Sequence, residues 1–376
     1  MQPLAVIGIG SFCPVGLDAE HASASLWAGV PRKQQCSIVD RRFEPIVMGY
    51  LPQDVLPPLV DPLQALRPGL TALQRRLLRL ATPALHEVLG AEVDLEATAG
   101  EDEPRFSAAA LPPGLDPLPP LLIAGPAPVP ERPPIMTGRF IGQAALQSGV
   151  PIDASNSRVF PTGHAGFFAA LEHARTRIIE PGDAELVVVG GVDSYLDPYR
   201  LAVLEREERL LTEGAQDGFT PGEAAAFVSI ASRVACRRHG WKPLVWIDGI
   251  GLGQEPGHRY SDQPYRGDGL AAAIREALAG DAAPPEPIRL VMAGFNGEAM
   301  HTKEWGVAHV RNRKHFAEGF RIEHSAEYTG DLGAALAPMM LAATALALRD
   351  GEVQGPALIW GASDQGQRGA LRLRAA

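Results

Sequence analysis

The sequence predicts a layered α/β fold built on buried, mostly parallel strands, and three observations carry that expectation. Short Val/Ile/Leu-rich runs alternate with Ala-rich helical stretches along the whole chain; many of those runs end in a glycine pair or in Gly-x-Gly; and at 376 residues with 46% hydrophobic content the chain is long enough to bury a large core. A strand covered on both faces reads as a continuous apolar run rather than an alternating one. On that criterion strands are predicted at 4–10, 121–125, 185–191, 225–232, 244–251, 288–295 and 356–362. Helices are predicted at 69–90, 139–148, 165–180, 268–279 and 333–349. The pattern divides into two halves, 1–235 and 236–376, meeting near the polar stretch 233–243.

One segment breaks the rhythm. Residues 104–134 hold eleven prolines, too many for a helix or central strand throughout, so loops wrapped around the strand 121–125 are predicted there, with a proline-rich partner-binding site as the lesser reading.

Composition narrows the function classes. Forty-four acidic against 34 basic residues give a net charge of −10, which argues against nucleic acid or an anionic membrane as the main partner. Cys13, Cys36 and Cys236 have spacings that suit neither a disulfide framework nor a zinc site, so a cytoplasmic location is expected. The first residues lack the basic start and long apolar run of a signal peptide, and the longest apolar stretches fall short of a membrane span. No cofactor or metal is predicted. The early Gly-x-Gly lacks the remainder of a dinucleotide fingerprint. His301, His309 and His315 have the wrong spacing for one helix face, and that stretch reads as a solvated loop-helix surface. The charged run 205–218 reads as an exposed helix and turn, and Cys13 as a buried small hydrophobe.

Several stretches, in order, resemble β-ketoacyl synthases. The opening VIGIGSFCPVGLDAEHASASLWAG has that family's first strand, Gly/Pro turn and Trp-bearing helix; PGDAELVVVGGVDSYLDPYRLAVLE has its Gly-Gly-x-(Glu/Asp)-Ser turn; DGFTPGEAAAFVSIAS, EYTGDLGAALAP and the closing IWGASDQGQRGALRL follow where their counterparts stand. The resemblance implies a thiolase-like duplicated fold, two mixed five-stranded sheets in a five-layer αβαβα arrangement, and pairing into a homodimer or heterodimer through the thiolase-type interface.

The chemistry of such a synthase needs a thiolate at a helix N-terminus, where backbone N–H groups also hold a developing oxyanion, and two imidazoles. The corresponding text here reads NSRVFPTGHAGFF, which puts Ala165, or with a one-residue shift His164, at the nucleophile position. Asn296 stands for the first histidine with Glu298 in place of a threonine, Asp331 for the second with Ala326 in place of a lysine, and Ser363 with Asp364 where a gating phenylalanine belongs. Asn296, Glu298, Tyr328, Asp331, Asp364 and His164 are expected to converge on one cavity, either as a hydrogen-bonded plug, or as an acid–base pair of Asp331 and His164, or as a ligand site without chemistry. The expected function is that of a catalytically degenerate protein acting as adaptor, chaperone or structural subunit. FNGE…EWG and YTGDLGAA resemble ketosynthase-like proteins found beside type VI secretion effectors. The alternatives are an acyl-transfer or condensing enzyme with an altered site and a partner subunit like the chain-length factor. A protein partner is expected, with acyl carrier protein a weaker candidate.

Overall fold

A computed structural model describes residues 2–90, 117–129, 132–212, 215, 217–279 and 286–376. The first half runs β1 (Leu4–Phe12), α1 (Ala19–Trp27), the hairpin β2 (Gln34–Val39) and β3 (Pro45–Met48), α2 (Asp61–Gln64), α3 (Ala72–Val88), β4 (Leu121–Ala124), α4 (Arg139–Ser148), β5 (Arg158–Phe160), α5 (Gly166–Ala174), β6 (Leu186–Ser194), α6 (Pro198–Arg206) and β7 (Glu223–Ser232). The second runs α7 (Arg233–His239), β8 (Val245–Gln254), α8 (Asp268–Ala277), β9 (Ile288–Met292), α9 (Ala299–Asn312), β10 (Phe316–Glu323), α10 (Ala326–Thr329), α11 (Leu336–Arg349), β11 (Ala357–Ala362) and β12 (Gln367–Ala375).

The duplication is visible in the strand order. The large sheet reads β5-β4-β6-β7-β1 and continues β8-β12-β11-β9-β10. Apart from the separate β2–β3 hairpin, each half places its strands in the same sequence from the outer edge inward: third, second, fourth, fifth, first. Pairing sense repeats as well. The outer three strands of each half are parallel, and the inner two pairings are antiparallel. The two predicted five-stranded sheets are therefore present but continuous, joined where Leu4–Val6 of β1 pair antiparallel with Val245–Ile247 of β8.

Packing gives the layers. Helix α3 lies on β1, β6 and β7; α8 lies on β8 and β12; α5 and α11 each touch strands of both halves and so lie between them. Three apolar clusters fill the gaps: one under α3 and α4, a central one around α5 and α11, and one under α8 and α9. Local signals explain the element ends. Helix α3 begins at Ala72 rather than at the predicted 69 because Thr71 and Gln74 form a reciprocal capping box. The predicted helix 165–180 splits into a 3₁₀ turn (163–165), α5 and a π-helical turn (Arg175–Ile179). In the Pro-rich stretch the described residues form loops on either side of β4, and the rest of 104–134 lies outside the described residues. Among the described residues no helix is long and apolar enough to cross a membrane.

One close approach positions the site. A Cβ on Gly191 of β6 would lie 2.1 Å from the Ala334 carbonyl oxygen, so the glycine lets the turn before α11 rest directly on the strand. Helix α5 starts beside it, with the turns 163–165 and 333–335 in contact.

Candidate functional site

The two helix starts bring residues from both halves together. His164, in the turn before α5, places Nε2 2.6 Å from Oδ1 of Asp331, in the turn before α11. Asn296, in the loop after β9, donates from Nδ2 to Asp331 Oδ2 at 2.8 Å and to Glu298 Oε2 at 3.1 Å. Its Oδ1 accepts the Glu298 N–H at 3.0 Å and faces His301 Nδ1 at 3.0 Å, so that nitrogen carries the proton. Glu298 is then clamped by Arg209 through Nε and Nη2, each at 2.9 Å. Asp364, after β11, accepts from Arg209 Nη1 at 2.8 Å and Nη2 at 3.0 Å. Arg259, beyond β8, bridges the same two carboxylates, at 2.5 Å from Glu298 and 3.2 Å from Asp364. The result is a buried chain of paired groups crossing from one half to the other.

The first turn of α5 is occupied in a different way. Ser363 Oγ accepts the Ala165 N–H at 2.9 Å and donates to the Thr162 carbonyl at 2.5 Å. The helix N–H that could stabilise an anion is thus taken by a hydroxyl from the last hairpin.

Burial and charge decide the protonation states. Burial pushes His164 down, but the charge of Asp331 and its hydrogen bond win, raising the imidazole to about 9. Burial likewise opposes ionisation of Asp331, and His164, Asn296 and the Gly333 N–H outweigh it, holding the carboxyl well below the usual range. Asp364 is held low against its burial by Arg209 and Arg259. His301 is pushed down to about 4 by burial and stays neutral. At neutral pH His164 is therefore an imidazolium against the ionised Asp331, Asp364 is ionised and His301 is neutral.

Of the predicted site residues, His164, Asn296, Glu298, Asp331 and Asp364 join one network, and Ala165 and Ser363 form the adjoining cap. Tyr328 does not converge with them. It sits in α10, one turn before Asp331, with its ring against Gly29 and its carbonyl accepting the Arg32 N–H, because the short helix turns it toward α1. The stretch 301–315 is not a solvated surface either: α9 turns His301, Glu304 and Trp305 inward. The charged run after α6 conceals Arg209, which is 5% exposed and pinned by backbone bonds between Arg209 and Phe219 and between Leu211 and Phe219. Arg209, Arg259 and His301 were not foreseen. A charge balance would have called for the two arginines, since three carboxylates sharing a buried site require cations, and the predicted set offered only His164; the neutral His301 leaves no such signal.

What space remains is a cleft of about 80 Å³ lined by Pro128, Thr162, His164, Tyr195, Arg200 and Ser363 among others. That is the volume of about three waters. Cys13, Cys36 and Cys236 are free and buried elsewhere, Cys13 with its thiol pushed up to about 11 by burial. Among the described residues no group of three or more His, Cys, Asp or Glu side chains could hold a metal ion.

No protein-family model matches the chain. Curated relatives do. A 131-residue stretch is 28% identical to the mitochondrial 3-oxoacyl-[acyl-carrier-protein] synthase of Arabidopsis thaliana, covering 31% of this chain and 28% of that one. A 227-residue stretch is 27% identical to the actinorhodin polyketide putative beta-ketoacyl synthase 2 of Streptomyces coelicolor, covering 56% of this chain and 52% of that one. The matched regions thus span about half or less of those relatives' lengths. Among solved structures, the ishigamide ketosynthase/chain length factor superposes with a TM-score of 0.73 at 17% identity, over 100% of this chain and 99% of that one. The fold is the ketosynthase fold. Within it, the turn 163–165 opening α5 and the turn 333–335 opening α11 face one another across the network, and the ketosynthase scaffold here closes that region with ion pairs.

Proposed function

We propose that the chain is a catalytically silent protein of the ketosynthase fold that works by binding another protein, as an adaptor, chaperone or structural subunit. The observation that carries this reading is the closure of the α5 start. Ala165, or with a one-residue shift His164, is read at the position of the nucleophile, the Ala165 N–H is capped by Ser363, and the space that remains takes about three waters rather than an acyl chain. The rival in which Asp331 and His164 perform acid–base chemistry is disfavoured by their charge state: an imidazolium bonded to a carboxylate at 2.6 Å has no lone pair to accept a proton at neutral pH. Similarity to a putative beta-ketoacyl synthase 2 and to a ketosynthase/chain length factor supports a second version, in which the partner is an active ketosynthase. A type VI secretion effector is the third class of partner.

Purified full-length chain incubated with radiolabelled malonyl and acyl carrier-protein thioesters is expected to show neither covalent labelling nor loss of carbon dioxide. Turnover above that of a heat-denatured control overturns the proposal. Affinity purification at native expression then separates the versions: a stoichiometric ketosynthase supports the chain-length-factor-like role, and an unrelated partner supports the adaptor.

A further inference from the structure

The cleft beside His164 is unbalanced in its hydrogen bonding. Every carboxylate around it is engaged. Asp193 accepts from Arg200 Nη1 at 2.6 Å and from the N–H groups of Ser194 at 2.8 Å and Ala334 at 2.9 Å. Asp331, Glu298 and Asp364 hold His164, Asn296, Arg209 and Arg259. Glu207, at the mouth, accepts from the Tyr260 hydroxyl at 3.2 Å and lies 3.7 Å from Arg209.

The donors are not all used. His164 commits Nε2 to Asp331, and its protonated Nδ1 makes no hydrogen bond among the described residues. The Tyr195 hydroxyl makes none either, and Arg200, whose Nη1 serves Asp193 and the Ser194 carbonyl, makes none through Nε or Nη2. These three side chains are 9%, 8% and 8% exposed, and all line the cleft. Arg200 lies 4.4 Å over the Tyr195 ring, which fixes both. With the buried carboxylates paired, three side chains that line one cleft and keep donors without a protein partner favour a ligand that brings acceptor oxygens. Its volume of about 80 Å³ takes a headgroup of about four heavy atoms.

We propose that this cleft binds a small carboxylate, held by His164, Tyr195 and Arg200. The proposal deepens the non-catalytic reading, on which it rests for a cleft whose occupant is not processed. It assigns the cleft a ligand by its chemistry: a planar anion of acetate size, free or as the end of a longer molecule reaching in past Tyr260.

Isothermal titration of the full-length chain with sodium acetate, at constant ionic strength in chloride, is the test. Acetate is expected to bind at one site, with phosphate at least about tenfold weaker. Tyr195→Phe, which removes one donor and keeps the ring, is expected to weaken acetate about tenfold while leaving the melting temperature without acetate unchanged. His164→Gln serves as the second variant if Tyr195→Phe folds poorly, with the same loss expected. Absence of acetate binding up to about 50 mM, equal affinity in both variants, or phosphate binding in preference to acetate each overturns the proposal. Failure of the earlier reading is distinguishable, because thioester turnover is measured without acetate and acetate affinity without thioester.

Discussion

The two turns that open α5 and α11 occupy equivalent places in the duplicated topology, yet they are capped by opposite chemistry. Both begin on a glycine in the left-handed region, Gly163 at φ 68° and Gly333 at φ 53°. At α11 the free N–H groups meet carboxylates: Gly333 donates to Asp331 at 2.8 Å and Ala334 to Asp193 at 2.9 Å. At α5 the Ala165 N–H meets the neutral Ser363 hydroxyl, and the neighbouring side chain is the His164 imidazolium. Anions at a helix N-terminus are favourable and cations are not, so α11 is electrostatically complete and α5 is not. Duplication of backbone has therefore not duplicated the field. One of the α11 anions comes from each half, so the same caps also fasten the halves together.

The largest effect should come from removing the charged cap. Asp331→Ala strips the partner from a buried imidazolium, from Asn296 Nδ2 and from the Gly333 N–H, and is expected to cost about 3–5 kcal/mol in urea unfolding. A loss below about 1 kcal/mol would make the carboxylate incidental. Next come the two glycines. A Cβ at Gly333 would fall 2.1 Å from Asp193 Oδ2, whereas at Gly163 the nearest atom is 3.6 Å away. Gly163→Ala should thus cost only its left-handed backbone, about 1–2 kcal/mol, and Gly333→Ala at least about 1 kcal/mol more from the clash. Equal losses would show that the α11 turn yields as readily as the α5 turn.

Much of this was legible in the sequence, and the illegible part has a common cause. The buried strands announce themselves because burial on both faces demands continuous apolar runs such as Leu186–Val189, and the Gly190–Gly191 pair marks a close approach. The convergence of His164, Asn296, Glu298, Asp331 and Asp364 followed from motif positions. Arg209 was hidden because a run rich in Arg and Glu looks the same whether solvated or folded back over a cavity, and only the backbone bonds to Phe219 turn it inward. His301 was hidden in the same way: its helix has a mixed pattern, and one buried polar face is supported by Asn296 rather than by apolar periodicity. Tyr328 failed for the opposite reason. It lies three residues from Asp331 in sequence, but the intervening helical turn aims it at α1.

Titration separates the two turns further. His164 has its folded value raised to about 9 from an ordinary 6.5, so its stabilising contribution is fully present below about pH 6.5 and is lost as pH rises through 9. Asp331, held low, contributes above its ordinary range and loses that contribution only in strong acid. Between pH 6.5 and 9.5 the wild-type chain is accordingly expected to lose up to about 3 kcal/mol more stability than His164→Gln. Parallel pH curves for the two proteins would mean that the α5 turn carries no cation.

The smallest effect expected is at the neutral cap. Ser363→Ala leaves the Ala165 N–H and the Thr162 carbonyl without their shared partner, and a single unpaired backbone N–H beside a cleft costs about 1 kcal/mol where water can reach it. The cleft adjoins both groups, so a water entering the space left by the hydroxyl should recover part of that loss. The contrast with Asp331→Ala is the sharpest form of the comparison, because each substitution uncaps one helix and only one of them strands a charge. If urea unfolding gave Ser363→Ala the larger loss, the neutral hydroxyl and not the ion pair would be what holds the two helix starts together.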